Sequence, residues 1–342
     1  MTVRVGINGF GRIGRNYVRA ARQAAADIEV VAVNDLTSAT TLAYLLRYDS
    51  THGRFPGTVF AAADTIVIDG VAVAVLAERD PKALPWGALG VDLVIEATGR
   101  FTTRDAAAAH LEAGARRVVI SAPASEVDAT FVVGVNDDQF DSTRHFVVSN
   151  ASCTTNCFVP MVKVVDDAFG IDAGLMTTVH AFTNDQNLLD LPHGDLRRAR
   201  SAPVNIVPSS TGAARATGAV LESMRGRLDG ASLRVPVADG SITDFTALVP
   251  GSVAVDDVNA AFAAAAAAGP LARVLVYTED PIVSSDIVGS PASCTFDAGL
   301  TMVMPTSSGG TLGKVQGWYD NEWGYANRLV DLSIVVGGTD GR

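Results

Sequence analysis

The sequence predicts an α/β chain in two parts: a helix-covered parallel sheet, then an α+β part with a mostly antiparallel sheet. Three observations predict it. Short β-branched runs alternate with helical stretches through the first half, which is the pattern of strands and crossover helices. Longer strand candidates with few helices follow. The 342 residues, 48% hydrophobic and 18% charged, suffice for two domains with large cores.

The first strand candidate is Val3–Ile7, followed by a helix over Gly11–Ala25 and a strand over Val30–Asn34. A helix starting near Thr40–Tyr44 leads to strands at Thr65–Ile68 and Val71–Leu76. Leu93–Glu96, a helix over Thr103–Ala113 stopped by Gly114, Val118–Ser121 and Phe146–Val148 complete the set. Near residue 151 the texture changes. A helix runs through Val159 to Phe169, and strands are expected at Gly174–Ala181, Ser232–Pro236, Thr243–Leu248, Val274–Tyr277, Thr295–Met304 and Gly313–Trp318. Asn184 to Ser210 shows neither period and mixes prolines with arginines, and so long a loop in a compact domain is usually functional. Asp256–Ala268, alanine-rich, reads as a surface helix without chemistry. Asn321–Val336 reads as an apolar-faced helix returning to the first domain. The expected domains are 1–150, completed by a helix over 321–342, and 151–320.

Gly9-Phe10-Gly11-Arg12-Ile13-Gly14 matches G-x-G-x-x-G. It follows a strand and opens a helix, and Asp35 ends the next strand about 20 residues on. Glycines there let the backbone approach a pyrophosphate at the helix N-terminus. The first part is therefore expected to be a Rossmann-type dinucleotide-binding domain. Asp35 would accept from ribose hydroxyls and repel the extra phosphate of NADP, so the expected cofactor is NAD.

Ser149-Asn150-Ala151-Ser152-Cys153-Thr154-Thr155-Asn156-Cys157 places a cysteine where an apolar strand gives way to a helix capped by Ser152. Backbone N–H groups and the helix dipole are expected to lower the Cys153 thiol by a unit or more from about 8.5. Polar neighbours argue against a buried apolar niche. Cys157 and Cys294 read as structural, and no Cys or His pair at zinc-site spacing accompanies them, so no metal is expected. Of five histidines, His180 ends an apolar strand among polar residues and is the candidate base, while His52, His110, His145 and His193 read as solvated. Two arginine groups suggest anion sites: Arg197, Arg198 and Arg200 with Ser209-Ser210-Thr211-Gly212, and Arg234 on an otherwise apolar strand. The first group would equally suit a salt-bridged surface or a subunit contact.

The net charge of −11 argues against a general nucleic-acid surface. No 18-residue apolar run exists, so no membrane span is expected. Three cysteines make no disulfide framework, and the chain enters a strand at Val3 without an apolar leader, so the expected location is cytoplasmic.

These segments, with Ile7–Arg15, His180–Gln186, Asp195–Arg200, Ser210–Arg215 and Trp318-Tyr319-Asp320-Asn321-Glu322-Trp323-Gly324-Tyr325, closely resemble phosphorylating glyceraldehyde-3-phosphate dehydrogenase over essentially the whole chain. The resemblance implies Cys153 as nucleophile and His180 as its base. It implies that Arg12, Ile13, Asp35, Arg79, Thr98, Ser121 and Asn321 hold NAD, with Leu191-Pro192 matching the NAD-using members. Thr183 and Arg234 match the sugar-phosphate site, and Ser152, Thr154, Arg198, Thr211 and Gly212 match the surroundings of the reacting carbon and inorganic phosphate. It further implies D-glyceraldehyde 3-phosphate and inorganic phosphate as substrates, and a homotetramer whose Asn184–Ser210 loop reaches a neighbouring subunit's cofactor. Departures are few and touch no catalytic position: Arg215 replaces a usual lysine, and glycine stands in Asp-Ala-Gly-Leu where proline is common. The rival expectations are an erythrose-4-phosphate dehydrogenase, a non-catalytic NAD- or RNA-binding relative, and a cysteine hydrolase.

Overall fold

A computed structural model of the chain describes residues 2–338. Strand Val3–Asn8 is central in a nine-stranded sheet among the described residues, with Ile28–Asn34 on one side and Leu93–Glu96 on the other. The chain thus builds outward in two directions from one strand, and a crevice opens at the strands' carboxyl ends where the order reverses. Seven of the strands, from Ala129–Thr130 across to Val71–Leu76, pair in parallel. The expected parallel pairing fails for Thr65–Ile68, which runs antiparallel to Val71–Leu76 and to a further edge strand, Val59–Ala62. The reason is the short connection: the turn Asp69-Gly70, both at positive φ, makes a hairpin, whereas a parallel crossover needs a dozen residues or more. The helix expected over Thr103–Ala113 divides into Arg104–Ala107 and Ala109–Glu112.

Val132–Val135 and Ser152–Tyr325 form one compact unit, and the rest of the described chain forms the other. The second unit carries an eight-stranded sheet, mostly antiparallel. Two pairings in it are parallel against expectation: Ala173–Ala181 with Leu228–Val235, and Leu275–Thr278 with Cys294–Asp297. Single-sequence periodicity reports which residues form strands but not which way neighbours run. The strand expected over Thr295–Met304 is interrupted by a 3₁₀ turn at Ala298–Leu300. Asn184–Ser210 is not wholly irregular, since Val207–Ser210 adds an edge strand next to Leu228–Val235. Pro208 masked it, and an edge is where a strand proline is tolerated.

Helix Cys153–Phe169 packs on this sheet, with Phe158 meeting Phe245 edge-on at 4.9 Å. Gly317 is needed there: a Cβ would lie 2.5 Å from Cys294 Sγ and 2.6 Å from Met161 Sδ. Cys157 and Cys294 are fully buried beside it, consistent with scaffold roles. Helix Val255–Ala267 is more than a surface helix, because it buries Val258 and Phe262, the latter stacked on Phe296 at 3.8 Å. The last helix, Trp323–Gly337, joins the first unit from Ala326 onward, with Tyr17 Oη donating to Ser333 Oγ at 3.0 Å. Residues 339–342 of its expected span lie outside the described residues. No helix among the described residues is long and apolar enough to cross a membrane.

Candidate active site

In the first unit, strand Val3–Asn8 ends at Gly9, whose φ of +94° and lack of a Cβ are both required, because a Cβ would sit 2.8 Å from the Ala97 carbonyl. A Cβ on Gly14 would lie 2.4 Å from the Gly9 oxygen, so this glycine lets helix Arg12–Gln23 seat against the turn. Gly11 caps that helix without a side-chain bond and has nothing within 4 Å of a Cβ position. The helix start, with open space where a Gly11 side chain would stand, forms a cradle for an anion, which fits the pyrophosphate of a dinucleotide. The adjoining cleft, of about 420 Å³, is lined by Asn8, Gly9, Gly11, Asp35, Arg79 and Thr98 among others. Asp35 Oδ2 accepts from the Phe10 N–H at 2.9 Å, which fixes the carboxylate beside the glycine turn. Of the other expected cofactor residues, Arg12, Ile13 and Ser121 belong to this unit but do not line the cleft. Arg12 is held by Asp49, and the Ser121 N–H donates to the Glu96 carbonyl at 2.9 Å. Asn321 lies in the second unit, where its Oδ1 accepts from Ser241 at 2.7 Å.

Around the cysteine, strand Val147–Ser149 gives way to Asn150 and to Ala151, a non-glycine residue at φ +55°. Such a conformation costs energy and makes a sharp turn. Ser152 then caps the helix, its Oγ accepting from the Thr155 N–H at 3.0 Å, and Cys153 is the first helical residue. Its Sγ lies 3.4 Å from His180 Nε2. His180 Nδ1 lies 2.7 Å from the Ala181 carbonyl, an acceptor only, and 3.1 Å from Arg234 Nη1, a donor only. The shorter carbonyl contact assigns the proton to Nδ1, with Arg234 Nη1 turned to its own acceptors, and leaves Nε2 to take a proton from the thiol. Arg234 comes alongside because Ala173–Ala181 and Leu228–Val235 run parallel with His180 opposite Arg234. Its Nη1 donates to the Ala181 carbonyl at 3.2 Å and to Thr183 Oγ1 at 3.0 Å, while its buried Nε has no protein partner. A guanidinium with a spare buried donor suits an anionic ligand.

Thr183 donates to Asp185, which also pairs with Arg198 at 2.6 Å, so one carboxylate links both anion candidates. Thr211 Oγ1 accepts from the Ala213 N–H at 3.2 Å, and Gly212 has open space where a side chain would stand. Thr154 turns inward, its hydroxyl 2.9 Å from Tyr319 Oη, which also meets Thr178 at 2.8 Å. The Tyr319 ring stands edge-on to His180 at 5.9 Å. Neither Asp185 nor Tyr319 was singled out from the sequence. An acidic residue beside two arginine groups was the available signal for Asp185, and Tyr319 had none beyond its motif.

The expected lowering of the thiol is reversed. Burial pushes Cys153 up to about 11, against the pull of the Arg234 guanidinium and the Thr154 N–H. Burial, with Arg234 acting in the same direction, pushes His180 down to about 3. Desolvation outweighs the helix-start donors, and the chain alone holds a thiol beside a neutral imidazole. His110, expected to be solvated, is fully buried.

Residues 3–104 match the family model described as glyceraldehyde 3-phosphate dehydrogenase, NAD binding domain, and residues 152–321 match the model of the C-terminal domain. Glyceraldehyde-3-phosphate dehydrogenase 2 of Streptomyces avermitilis is 59% identical over 337 residues, covering 98% of this chain and 99% of its own. The Streptomyces coelicolor glyceraldehyde-3-phosphate dehydrogenase is 58% identical over the same shares, and that of Mycobacterium avium is 57% identical over 343 residues, again 98% and 99%. With both domain models matched and relatives aligned nearly end to end, the chain belongs to the glyceraldehyde-3-phosphate dehydrogenase family.

Proposed function

We propose that the chain oxidises D-glyceraldehyde 3-phosphate to 1,3-bisphosphoglycerate with NAD and inorganic phosphate, through a thioester on Cys153. The observation that carries the assignment of residues is the Cys153 Sγ to His180 Nε2 approach of 3.4 Å, with Nδ1 already committed to a carbonyl. His180 Nε2 takes the thiol proton as sulfur attacks the aldehyde carbon, then returns it to the nascent alkoxide to give a hemithioacetal. In the oxidation His180 removes the hydroxyl proton, and the C–O bond becomes a carbonyl. NAD, when bound, accepts the hydride lost from that carbon. Phosphate then attacks the thioester, the acyl phosphate departs, and the released sulfur recovers its proton. Arg234 and Thr183 are assigned to the sugar phosphate, and Ser152, Thr154, Arg198, Thr211 and Gly212 to the reacting carbon and inorganic phosphate. Thr154 and Ser152 act there mainly as supports, given the Tyr319 bond of one and the capping bond of the other. Gly9, Gly11, Gly14, Asp35, Arg79 and Thr98 would hold NAD from the first unit, with Arg12, Ile13, Ser121 and Asn321 as further contacts. Residues 1–150 with 321–342 then serve as the NAD-binding domain and 151–320 as the catalytic domain.

A homotetramer is part of the proposal. It is supported by the exposed Leu188, Leu189, Leu191, Leu196, Val204 and Ile206 on the 184–210 segment, an apolar display that suits a second copy of the chain. A cytoplasmic location is supported by three cysteines that are all free. NADH formation from D-glyceraldehyde 3-phosphate, with and without phosphate, tests the reaction. Turnover that needs no phosphate, or that runs faster on erythrose 4-phosphate, would reject it.

A further inference from the structure

Beneath the dinucleotide cleft lies a carboxylate that, among the described residues, has no lysine or arginine paired with it. Glu96 ends strand Leu93–Glu96 and is almost completely buried, as are Asn8, Trp86 and His110 around it. A buried charge is tolerable only when its lone pairs are filled. Glu96 Oε1 accepts from the Thr98 N–H at 2.8 Å and from the Thr98 hydroxyl. Its Oε2 accepts from Asn8 Nδ2 at 2.6 Å and lies 2.9 Å from His110 Nε2.

The protons of this group can be placed. Trp86 Nε1 is 3.0 Å from His110 Nδ1, and an indole N–H only donates, so Nδ1 is bare. Nε2 therefore carries the ring proton and gives it to Glu96. The 3.5 Å approach of Asn8 Nδ2 to His110 Nε2 then sets two donors side by side, both aimed at one carboxylate oxygen. From Glu96 the order continues outward. Asn34 Nδ2 donates to Asn8 Oδ1 at 2.7 Å and to the Glu78 carbonyl at 2.8 Å, and the Glu78 N–H returns to Asn34 Oδ1 at 2.8 Å. Thr98 Oγ1 accepts from the Arg100 N–H at 3.1 Å. Asn8, Asn34, Glu78, Thr98 and Arg100 all line the cleft, whereas Trp86 and His110 do not.

We propose that His110 is a positioning residue for NAD: neutral and protonated on Nε2, it orients Glu96, which through Asn8, Asn34 and Thr98 sets the floor of the cleft. The inference rests on the NAD reading of that cleft. His110 touches neither substrate nor reacting atoms, so its loss should loosen cofactor binding and leave the chemistry intact. His110→Leu removes both ring contacts and leaves Glu96 short of a donor. His110→Gln keeps an N–H for Glu96 and an acceptor for Trp86.

The test measures NAD affinity by calorimetry on the full chain, with kcat at saturating NAD and the aldehyde KM. His110→Leu should raise the NAD Kd about tenfold, with kcat and aldehyde KM within about twofold of the parent, and His110→Gln should restore most of the affinity. A folded His110→Leu chain with unchanged Kd overturns the proposal, as does an equal loss of affinity in His110→Gln. Nitrogen-15 NMR of the parent gives an independent reading: a protonated Nε2 and bare Nδ1 are expected, and the opposite tautomer overturns the scheme. If His110→Leu fails to fold, Trp86→Phe decides, with Kd expected to rise about threefold and an unmoved Kd counting against the relay. A parent chain that does not bind NAD at all would instead reject the function proposed for the cleft.

Discussion

Two histidines, one in each unit, are both buried at the end of an apolar stretch, yet they hold opposite tautomers. His110 in the first unit has its proton on Nε2, given to Glu96, and its other nitrogen filled by Trp86. His180 in the second unit has its proton on Nδ1, committed to the Ala181 carbonyl, and presents bare Nε2 to Cys153. What decides between support and chemistry is therefore not burial but whether a nitrogen is left unfilled on the side of a reactive group. The surroundings follow the same division. Every lone pair of Glu96 is taken up by protein donors, whereas Arg234 keeps a buried Nε without a protein partner. The first region is finished before a ligand arrives, and the second is left incomplete for one.

The contrast breaks most visibly at the cysteine. Cys153→Ser puts a far weaker nucleophile and leaving group at the same helix start, so phosphate-dependent NADH formation should fall by at least about 10⁴-fold while NAD affinity holds. Full activity in that variant would remove the thioester from the mechanism. His180→Gln comes next, with kcat expected to fall about 10²- to 10⁴-fold because no group then takes the thiol proton. The same change at His110 should leave kcat alone. If both glutamine variants lost kcat equally, the two sites would not differ in the way their tautomers require.

Much of this is legible in the sequence, and the boundary of legibility has a physical cause. Gly9, Gly11 and Gly14 announce their turn because the constraint is local: a positive φ, a helix start and two close approaches within six residues. Ser152 and Cys153 are legible for the same reason, since a cap and its first helical residue are neighbours in sequence. The Glu96 group was not, because it joins residues 8, 34, 86, 96 and 110 from separate elements, and His110 taken alone looks like a polar residue on a short helix. Arg234 was suspected for its charge on an apolar strand, but only the parallel pairing with Ala173–Ala181 sets it opposite His180. The direction of the thiol shift is hidden from the sequence for a related reason. Helix-start donors are visible in sequence, while the desolvation that outweighs them depends on what the fold brings over the sulfur.

Arg234 sharpens the comparison at an intermediate scale. Its Nη1 already serves the Ala181 carbonyl and Thr183, so the unfilled Nε is the atom that distinguishes a ligand-binding role from a structural one. Arg234→Leu should lower kcat/KM for the aldehyde about 10- to 100-fold through loss of a charge-assisted bond, with NAD affinity unaffected. Arg234→Lys restores the charge but not the planar fork, and should recover only part of that loss. An Arg234→Leu enzyme with unchanged aldehyde kinetics would show that the spare donor serves no substrate.

The smallest effect concerns Arg12, a residue expected at the cofactor but held by Asp49 in the chain alone. Burial raises the Asp49 carboxyl, yet the Arg12 hydrogen bond and the His52 and Thr51 N–H groups outweigh it and hold the group down at about 2. A carboxyl depressed in the folded state contributes its stability above the unfolded value near 4 and loses it as pH falls toward 2. Counting solvent screening at the partly exposed Arg12 end, that contribution is about 1 kcal/mol. Asp49→Asn should therefore lower the denaturant midpoint at pH 7, and the gap from the parent should close as the titration approaches pH 2. If the gap stayed constant with pH, the pair would be contributing shape and not charge. The same variant removes the Asp49 partner of Arg12, and because Arg12 is only one of the several groups assigned to NAD, the NAD Kd should move by no more than about threefold. A larger gain in affinity would mean that the first region, like the second, holds a donor in reserve.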